Sequence, residues 1–232
     1  MVFSSLFFLY CFLPALLLAY FITPAAYRNG FLLIASLLFY SWGEGLFVLL
    51  MLFSIGMNYG FGLVVSQAQN MTRRKQLMLL SVVFNLGLLA LFKYGHFVID
   101  NVNILFSTLG ISAIELAPIH LPIGISFFTF QAMSYVIDVY RHEAPAQKNP
   151  VQVALYISLF PQLIAGPIVR YHDIAQQIVE RQVTSTLFAT GARRFIIGLS
   201  KKVLIANTLG YTADLIFTLE PTHVSTQLAW LG

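Results

Sequence analysis

The sequence predicts an all-α fold, a polytopic membrane helical bundle, on three observations. Of its 232 residues, 58% are hydrophobic and only 9% charged, where an ordinary soluble domain carries roughly 25% charge. At a mean hydropathy of +0.79, a chain of this length has too little interior to hide its apolar surface from water. Apolar runs recur at lengths that cross a hydrocarbon core of about 30 Å at 1.5 Å per residue. Finally, Lys and Arg collect in alternate connections, as the positive-inside rule requires.

The first run, MVFSSLFFLYCFLPALLLAYFIT, lacks a positive n-region and is long enough to span, so it reads as a membrane helix over 3–24 rather than a cleaved signal. Pro14 is expected to kink it. Arg28, Asn29 and Gly30 are expected to form the first turn. A shorter run over 31–42 ends at Gly43-Glu44-Gly45, and a longer one covers 46–66. QAQNMTRRKQ reads as a polar loop with Arg73, Arg74 and Lys75. The next run extends from Leu77 past Lys93 towards Phe106, followed by a loop over 107–120 with Glu115, Pro118 and His120. Residues 121–140 span again, and RHEAPAQKNP over 141–150 is the next loop.

Placing the N-terminus outside puts Arg28, then Arg73, Arg74 and Lys75, then Arg141 and Lys148 on the cytoplasmic side. The opposite loops, near Glu44 and Glu115, hold no Lys or Arg. Lys93, within the fourth run, is left to snorkel or to face the protein interior. Residues 151–170 break the pattern with Pro161 and Gly166-Pro167, and are followed by Arg170, Arg181, Arg193, Arg194, Lys201 and Lys202. A full crossing would place all these cations outside, so the segment is expected to be re-entrant. Irregular backbone at membrane depth is tolerated only inside protein or beside a wet cavity. Residues 187–209 read as an amphipathic helix on the cytoplasmic face, its cations opposite Phe195, Ile196, Leu199 and Val203. The last apolar run, 225–232, is too short to span. The expectation is thus one membrane domain, 1–232, with about five spanning helices, a re-entrant element and a cytoplasmic amphipathic helix, truncated at its C-terminus.

Composition also excludes function classes. The net charge of +4 reads as a topology signal, and no Lys/Arg block with interleaved aromatics supports nucleic-acid binding. The single Cys11 forms no intrachain disulfide and reads as packing. None of His96, His120, His142, His172 and His223 has metal-motif spacing, so no metal site is expected. His142 and His172 read as solvated loop residues, and His120 as an isolated acid/base candidate. Walker A, GxGxxG and GxSxG motifs are absent from the sequence, which disfavours a nucleotide-fold enzyme and a serine hydrolase.

Polar groups inside apolar runs mark the candidate site. Gln131, Ser134 and Asp138, at i, i+3 and i+7, share one helix face. They line a substrate path, or they bond helix to helix with Asp138 at the cytoplasmic end near Arg141. Pro161, Gly166 and Pro167 shape a cavity, or merely kink a helix. Gln162 and Arg170 join the first group as tunnel-lining or supporting candidates.

At LPIGISFFTFQAMSYVIDVYR and SLFPQLIAGPIVRY, the sequence resembles the membrane-bound O-acyltransferase family, in its alginate O-acetylating branch and that branch's peptidoglycan and D-alanyl-transferring relatives. LLIASLLFYSWGE, LLALFKYGHF and RRFIIGLSKKVLIAN carry the same resemblance in order along nearly the whole chain. The resemblance implies a many-helix fold around a tunnel, with no bound cofactor and an acetyl donor such as acetyl-CoA on the cytoplasmic side. The acetyl group passes across the inner (cytoplasmic) membrane of a bacterium to a polysaccharide acceptor, with periplasmic acetyltransferase partner proteins completing transfer. The family's key histidine lies in a later motif, expected beyond Gly232, so no catalytic residue is assigned and this stretch alone is expected to be inactive. The alternatives are D-alanyl or peptidoglycan acyl transfer within the same family, or a non-catalytic membrane scaffold or transporter.

Overall fold

A computed structural model describes residues 4–114, 120–163, 166–220 and 224–231. The expectations for Glu115, Pro118 and His223, and part of the Pro161–Pro167 segment (Ile164 and Ala165), lie outside the described residues. Every regular element among those described is helical, which bears out the all-α class.

The chain divides into two compact units, one of residues 16–181 and one of residues 2–15 with 182–232. The first unit holds most of the packing. α1 (Leu13–Ile22) is preceded by a π-helical turn over Phe8–Phe12. Pro14 has no N–H to donate to the preceding turn, so the helix widens there instead of keeping regular α geometry.

The first connection differs from expectation. Arg28, Asn29 and Gly30 open α2 (Arg28–Glu44), and the turn lies earlier, in a 3-10 turn over Ala25–Tyr27. Pro24 sets the break, and Arg28 Nε donates to the Thr23 carbonyl at 3.1 Å, which draws the arginine into the helix start. α2 and α3 (Phe47–Gln67) are joined at Gly45, whose φ of +57° suits glycine.

α3 is 21 residues long without a charge, and α4 (Met71–Thr108) is 38. Both are long and apolar enough to cross a membrane. The polar loop expected at their junction shrinks to residues 68–70. Asn70 accepts from the Thr72 amide at 2.8 Å and caps α4, so Arg73, Arg74 and Lys75 are already helical.

α5 (Ile125–Arg141) packs against both α3 and α4. Gly62 on α3 lets Tyr135 of α5 approach, because a Cβ at position 62 would strike the tyrosine ring. Between α3 and α4, Asn58 and Asn85 exchange side-chain hydrogen bonds of 3.0 and 2.7 Å, with no solvent exposure at either. In an apolar helix pair this reciprocal amide bridge fixes register and contributes on the order of 1 kcal/mol.

α6 (Pro150–Ser158) packs on α2 and α3, and α7 (Phe160–Leu163) on α2. α8 (Tyr171–Val179) packs on α5 and α6. In the second unit, α9 (Ser185–Ser200), a π-helical turn over Lys201–Ala206 and α10 (Asn207–Phe217) follow one another, and α11 (Thr226–Leu231) packs on α10. The helix expected over 187–209 is therefore present and longer.

Candidate functional site

The polar groups of α5 are presented at the point where α6 breaks and α8 begins. Leu159 leaves helical geometry (ψ +114°) and ends α6, while Pro161 falls in the first turn of α7, where its missing N–H costs nothing. A continuous helix would have bonded the Phe160 amide to the Tyr156 carbonyl. The break replaces both halves of that bond. Phe160 N donates to Ser36 Oγ at 3.3 Å, and Gln162 Nε2 donates to the Tyr156 carbonyl at 2.8 Å. Broken backbone inside a bundle requires this substitution.

The chain then turns back. A Cβ on Gly166 would lie 2.5 Å from Gln162 Cα, a backbone clash that favours glycine there. The Tyr156 hydroxyl donates to the Val169 carbonyl at 2.8 Å. Gly124, at φ +79°, starts α5 against the same turn, and a Cβ there would come within 2.8 Å of the Leu163 carbonyl oxygen.

Ser134 and Asp138 both serve the first turn of α8. Ser134 Oγ accepts from the Tyr171 amide at 3.3 Å, and Asp138 Oδ2 from the His172 amide at 3.0 Å. These are two of the four N–H groups a helix start leaves unpaired, and the Asp138 carboxylate sits where the helix dipole favours negative charge. The His172 ring Nδ1 lies 3.1 Å from the same oxygen. Asp138 thus pairs with His172 rather than with Arg141, whose guanidinium lies 3.9 Å from Glu143. His172 is only partly exposed, so the reading of it as a solvated loop residue is corrected. The partner lies 34 positions away, beyond any spacing rule.

Glu143 Oε2 lies 3.6 Å from His172 Nδ1, and Asp138, Glu143 and His172 each offer a ligand atom within 4.8 Å of the others. The rings of Tyr135, Tyr156 and Tyr171 stack edge to face around this corner at 4.9 and 5.2 Å. Burial pushes the Tyr171 hydroxyl pKa above the ordinary phenol value, so it stays a neutral donor or acceptor. A groove of about 400 Å³ opens here, with Glu143, Gln147, Tyr171, His172 and Gln176 among its walls. The groove is walled by the partners of Ser134 and Asp138 rather than by those two side chains.

Gln131 lies one turn earlier on α5. It is 1% exposed, and neither amide atom has a hydrogen-bond partner among the described residues. Such a group costs about 1–3 kcal/mol if left unpaired. Gln162 is half-buried and engaged at the break. Arg170 is exposed at the cap of α8, and Pro161 and Pro167 are exposed on the turn.

Two arrangements escaped the sequence reading. Arg74, taken for a loop cation, is 7% exposed, donates to the Val139 carbonyl at 2.6 Å and meets the His142 ring. His142 is nonetheless exposed, in keeping with its reading as a solvated residue. At the connection between α2 and α3, the buried Glu44 carboxylate lies 3.2 Å from His120 Nε2, and Phe47 lies against the same imidazole at 5.2 Å. Sequence separations of 68 and 76 hide both pairs.

Comparison with known proteins gives the chain its relatives. It is 44% identical over 233 residues to the probable alginate O-acetylase AlgI of Pseudomonas aeruginosa, covering all of this chain and 44% of that protein. It is 43% identical to the protein of the same name from Pseudomonas syringae, over 100% of this chain and 45% of the relative. To the peptidoglycan O-acetyltransferase of Helicobacter pylori it is 32% identical, over 100% of this chain and 49% of the relative. The chain thus spans about half the length of the curated relatives it matches. No family model matches it, and no solved structure does. The resemblance read from the motifs is borne out to this extent: along its whole length the chain is similar to proteins named as alginate O-acetylases and a peptidoglycan O-acetyltransferase.

Proposed function

We propose, from that homology, that this chain is the N-terminal part of a membrane-bound O-acyltransferase of the bacterial inner membrane. The whole protein moves acetyl groups from a cytoplasmic acetyl-CoA-type donor to an extracytoplasmic polysaccharide such as alginate. The observation that carries this reading is the whole-chain identity of 43–44% to probable alginate O-acetylases. Multi-pass topology with the N-terminus outside places the Arg74–Val139 contact at the cytoplasmic end and the Glu44–His120 pair at the opposite one. Periplasmic acetyltransferase partners receive the acetyl group and complete its transfer.

Within that function, these residues build walls rather than perform the chemistry, and the histidine acting as base or nucleophile is assigned outside residues 1–232. Gln131 faces the acyl path and supplies the buried amide that a passing carbonyl or bound water would pair. Ser134 and Asp138 position α8, and Gln162 holds the turn shaped by Pro161, Gly166 and Pro167. That turn is the re-entrant element, supported by the side-chain replacement of its broken backbone bond. Arg170 stands at the cytoplasmic mouth.

The test is complementation. The whole gene is expressed in an alginate-producing host lacking its own O-acetylase, and the ester acetyl content of the secreted polymer is measured. Restored acetylation is expected, and its absence with the protein present in the membrane would overturn the alginate assignment. A second reading, acylation of peptidoglycan, is favoured by the similarity to the Helicobacter pylori protein. The same complementation in a peptidoglycan O-acetylation mutant separates the two.

A further inference from the structure

Two arginines converge on one tyrosine at the end of α1. The Arg28 guanidinium lies 5.0 Å, and that of Arg181 6.0 Å, from the centre of the Tyr20 ring, which is 7% exposed beneath them. Each makes one hydrogen bond. Arg28 Nε donates to the Thr23 carbonyl, and Arg181 Nη1 to the Tyr20 hydroxyl at 3.4 Å. The other donors of both forks have no partner among the described residues, and no described carboxylate lies within 4 Å of either group.

The pair is held rigidly. Asn29, next to Arg28, donates through Nδ2 to the Ile178 carbonyl at 2.8 Å and ties the start of α2 to the end of α8. Between them lies a pocket of about 250 Å³ lined by Tyr20, Ala25, Arg28, Asn29, Ile178, Val179 and Arg181. Two like charges at one buried ring repel, and cation–π attraction of about 0.5–2 kcal/mol per contact offsets that repulsion only in part. A shared anion removes it. Planar guanidinium forks match the paired oxygens of a phosphate. The rim is apolar: Phe21, Ile22, Tyr27 and Val179 are exposed beside the cations, as at a bilayer surface.

We propose that Tyr20, Arg28, Asn29 and Arg181 form a phosphate-binding pocket, filled by the headgroup phosphate of an anionic phospholipid or by soluble phosphate. The site is independent of the acyl-transfer reading, since it uses none of the residues assigned to the acyl path.

The experiment is thermal unfolding of the intact protein in detergent, titrated with phosphatidylglycerol, with inorganic phosphate, and with oleate as an anion lacking phosphate. Stabilisation by phosphatidylglycerol or by phosphate, but not by oleate, is expected, and which arm responds names the source. In R28Q/R181Q the midpoint of the response should move to about ten-fold higher ligand concentration, while in R193Q/R194Q, whose residues do not line the pocket, it should stay. Should the double variant fail to fold, R181K keeps the charge but loses the fork, and a several-fold weaker response is expected. The proposal is overturned if neither phosphate source stabilises the protein, if oleate works as well, if R28Q/R181Q or R181K responds like the parent, or if R193Q/R194Q loses the response equally.

Discussion

The carboxylate of Asp138 holds His172 twice, accepting its backbone amide at 3.0 Å and lying 3.1 Å from its ring Nδ1. Ser134, one turn earlier on α5, accepts the neighbouring Tyr171 amide. A helix start is thus capped by a different helix, and the groove beside it depends on that capping. Asp138→Ala should cost about 1.5–3 kcal/mol, as for a hydrogen bond to a charged group, and Ser134→Ala about 0.5–1.5 kcal/mol. Because both act on one turn, the double variant should cost less than the sum. Thermal unfolding of the intact protein in detergent measures this, and an unchanged midpoint in Asp138→Ala would remove the capping role.

The break after α6 makes a second prediction. Gln162→Leu leaves the Tyr156 carbonyl without its donor, and Ser36→Ala leaves the Phe160 amide without its acceptor. Each should destabilise by about 1–3 kcal/mol. Hydrogen exchange at the Phe160 amide should rise in Ser36→Ala. Unchanged protection there would mean that the amide is satisfied in another way.

The Asn58–Asn85 bridge allows a sharper test, because the double change should cost less than the two single changes together. Asn58→Leu alone strands Asn85 Oδ1 in an apolar interface, at a cost of about 1–3 kcal/mol, while Asn85 Nδ2 keeps the Ser81 carbonyl at 2.8 Å. Changing both to Leu removes the stranded group and should recover much of that loss. A double-mutant cycle on unfolding free energy reads the coupling directly.

At Gly62 the prediction is steric. Gly62→Ala should force Tyr135 aside and weaken its hydroxyl's bond to the Gln147 amide, 3.2 Å in length. The expected loss is about 1–3 kcal/mol, as for overpacking, and Gly62→Ala should cost less in a Tyr135→Ala background than in the parent protein. Equal losses would place the clash elsewhere.

What the sequence revealed follows physical range. α3 and α4 were legible because uninterrupted apolar runs have few other outlets, and the break near Pro161 was legible because proline lacks an N–H. The start of α2 was misplaced by a few residues, since Arg28-Asn29-Gly30 looks like a turn until the Arg28–Thr23 bond is seen. The face shared by Gln131, Ser134 and Asp138 was correctly read from helical spacing. What two of them do was not, because their partners on α8 lie 37 and 34 residues away. Glu44–His120 and Arg74–His142 were hidden for the same reason.

Under the proposed function, this chain is part of an O-acetyltransferase whose acyl path passes Gln131. The most direct measurement is acetyl transfer from labelled acetyl-CoA to the extracytoplasmic polymer, in membranes carrying the whole protein or its Gln131→Leu variant at equal abundance. The account predicts transfer by the parent protein and a fall of about ten-fold or more in the variant, the scale set by one buried hydrogen-bonding partner, with unfolding behaviour retained. Transfer that does not depend on the protein, or that is unchanged by Gln131→Leu, would contradict it.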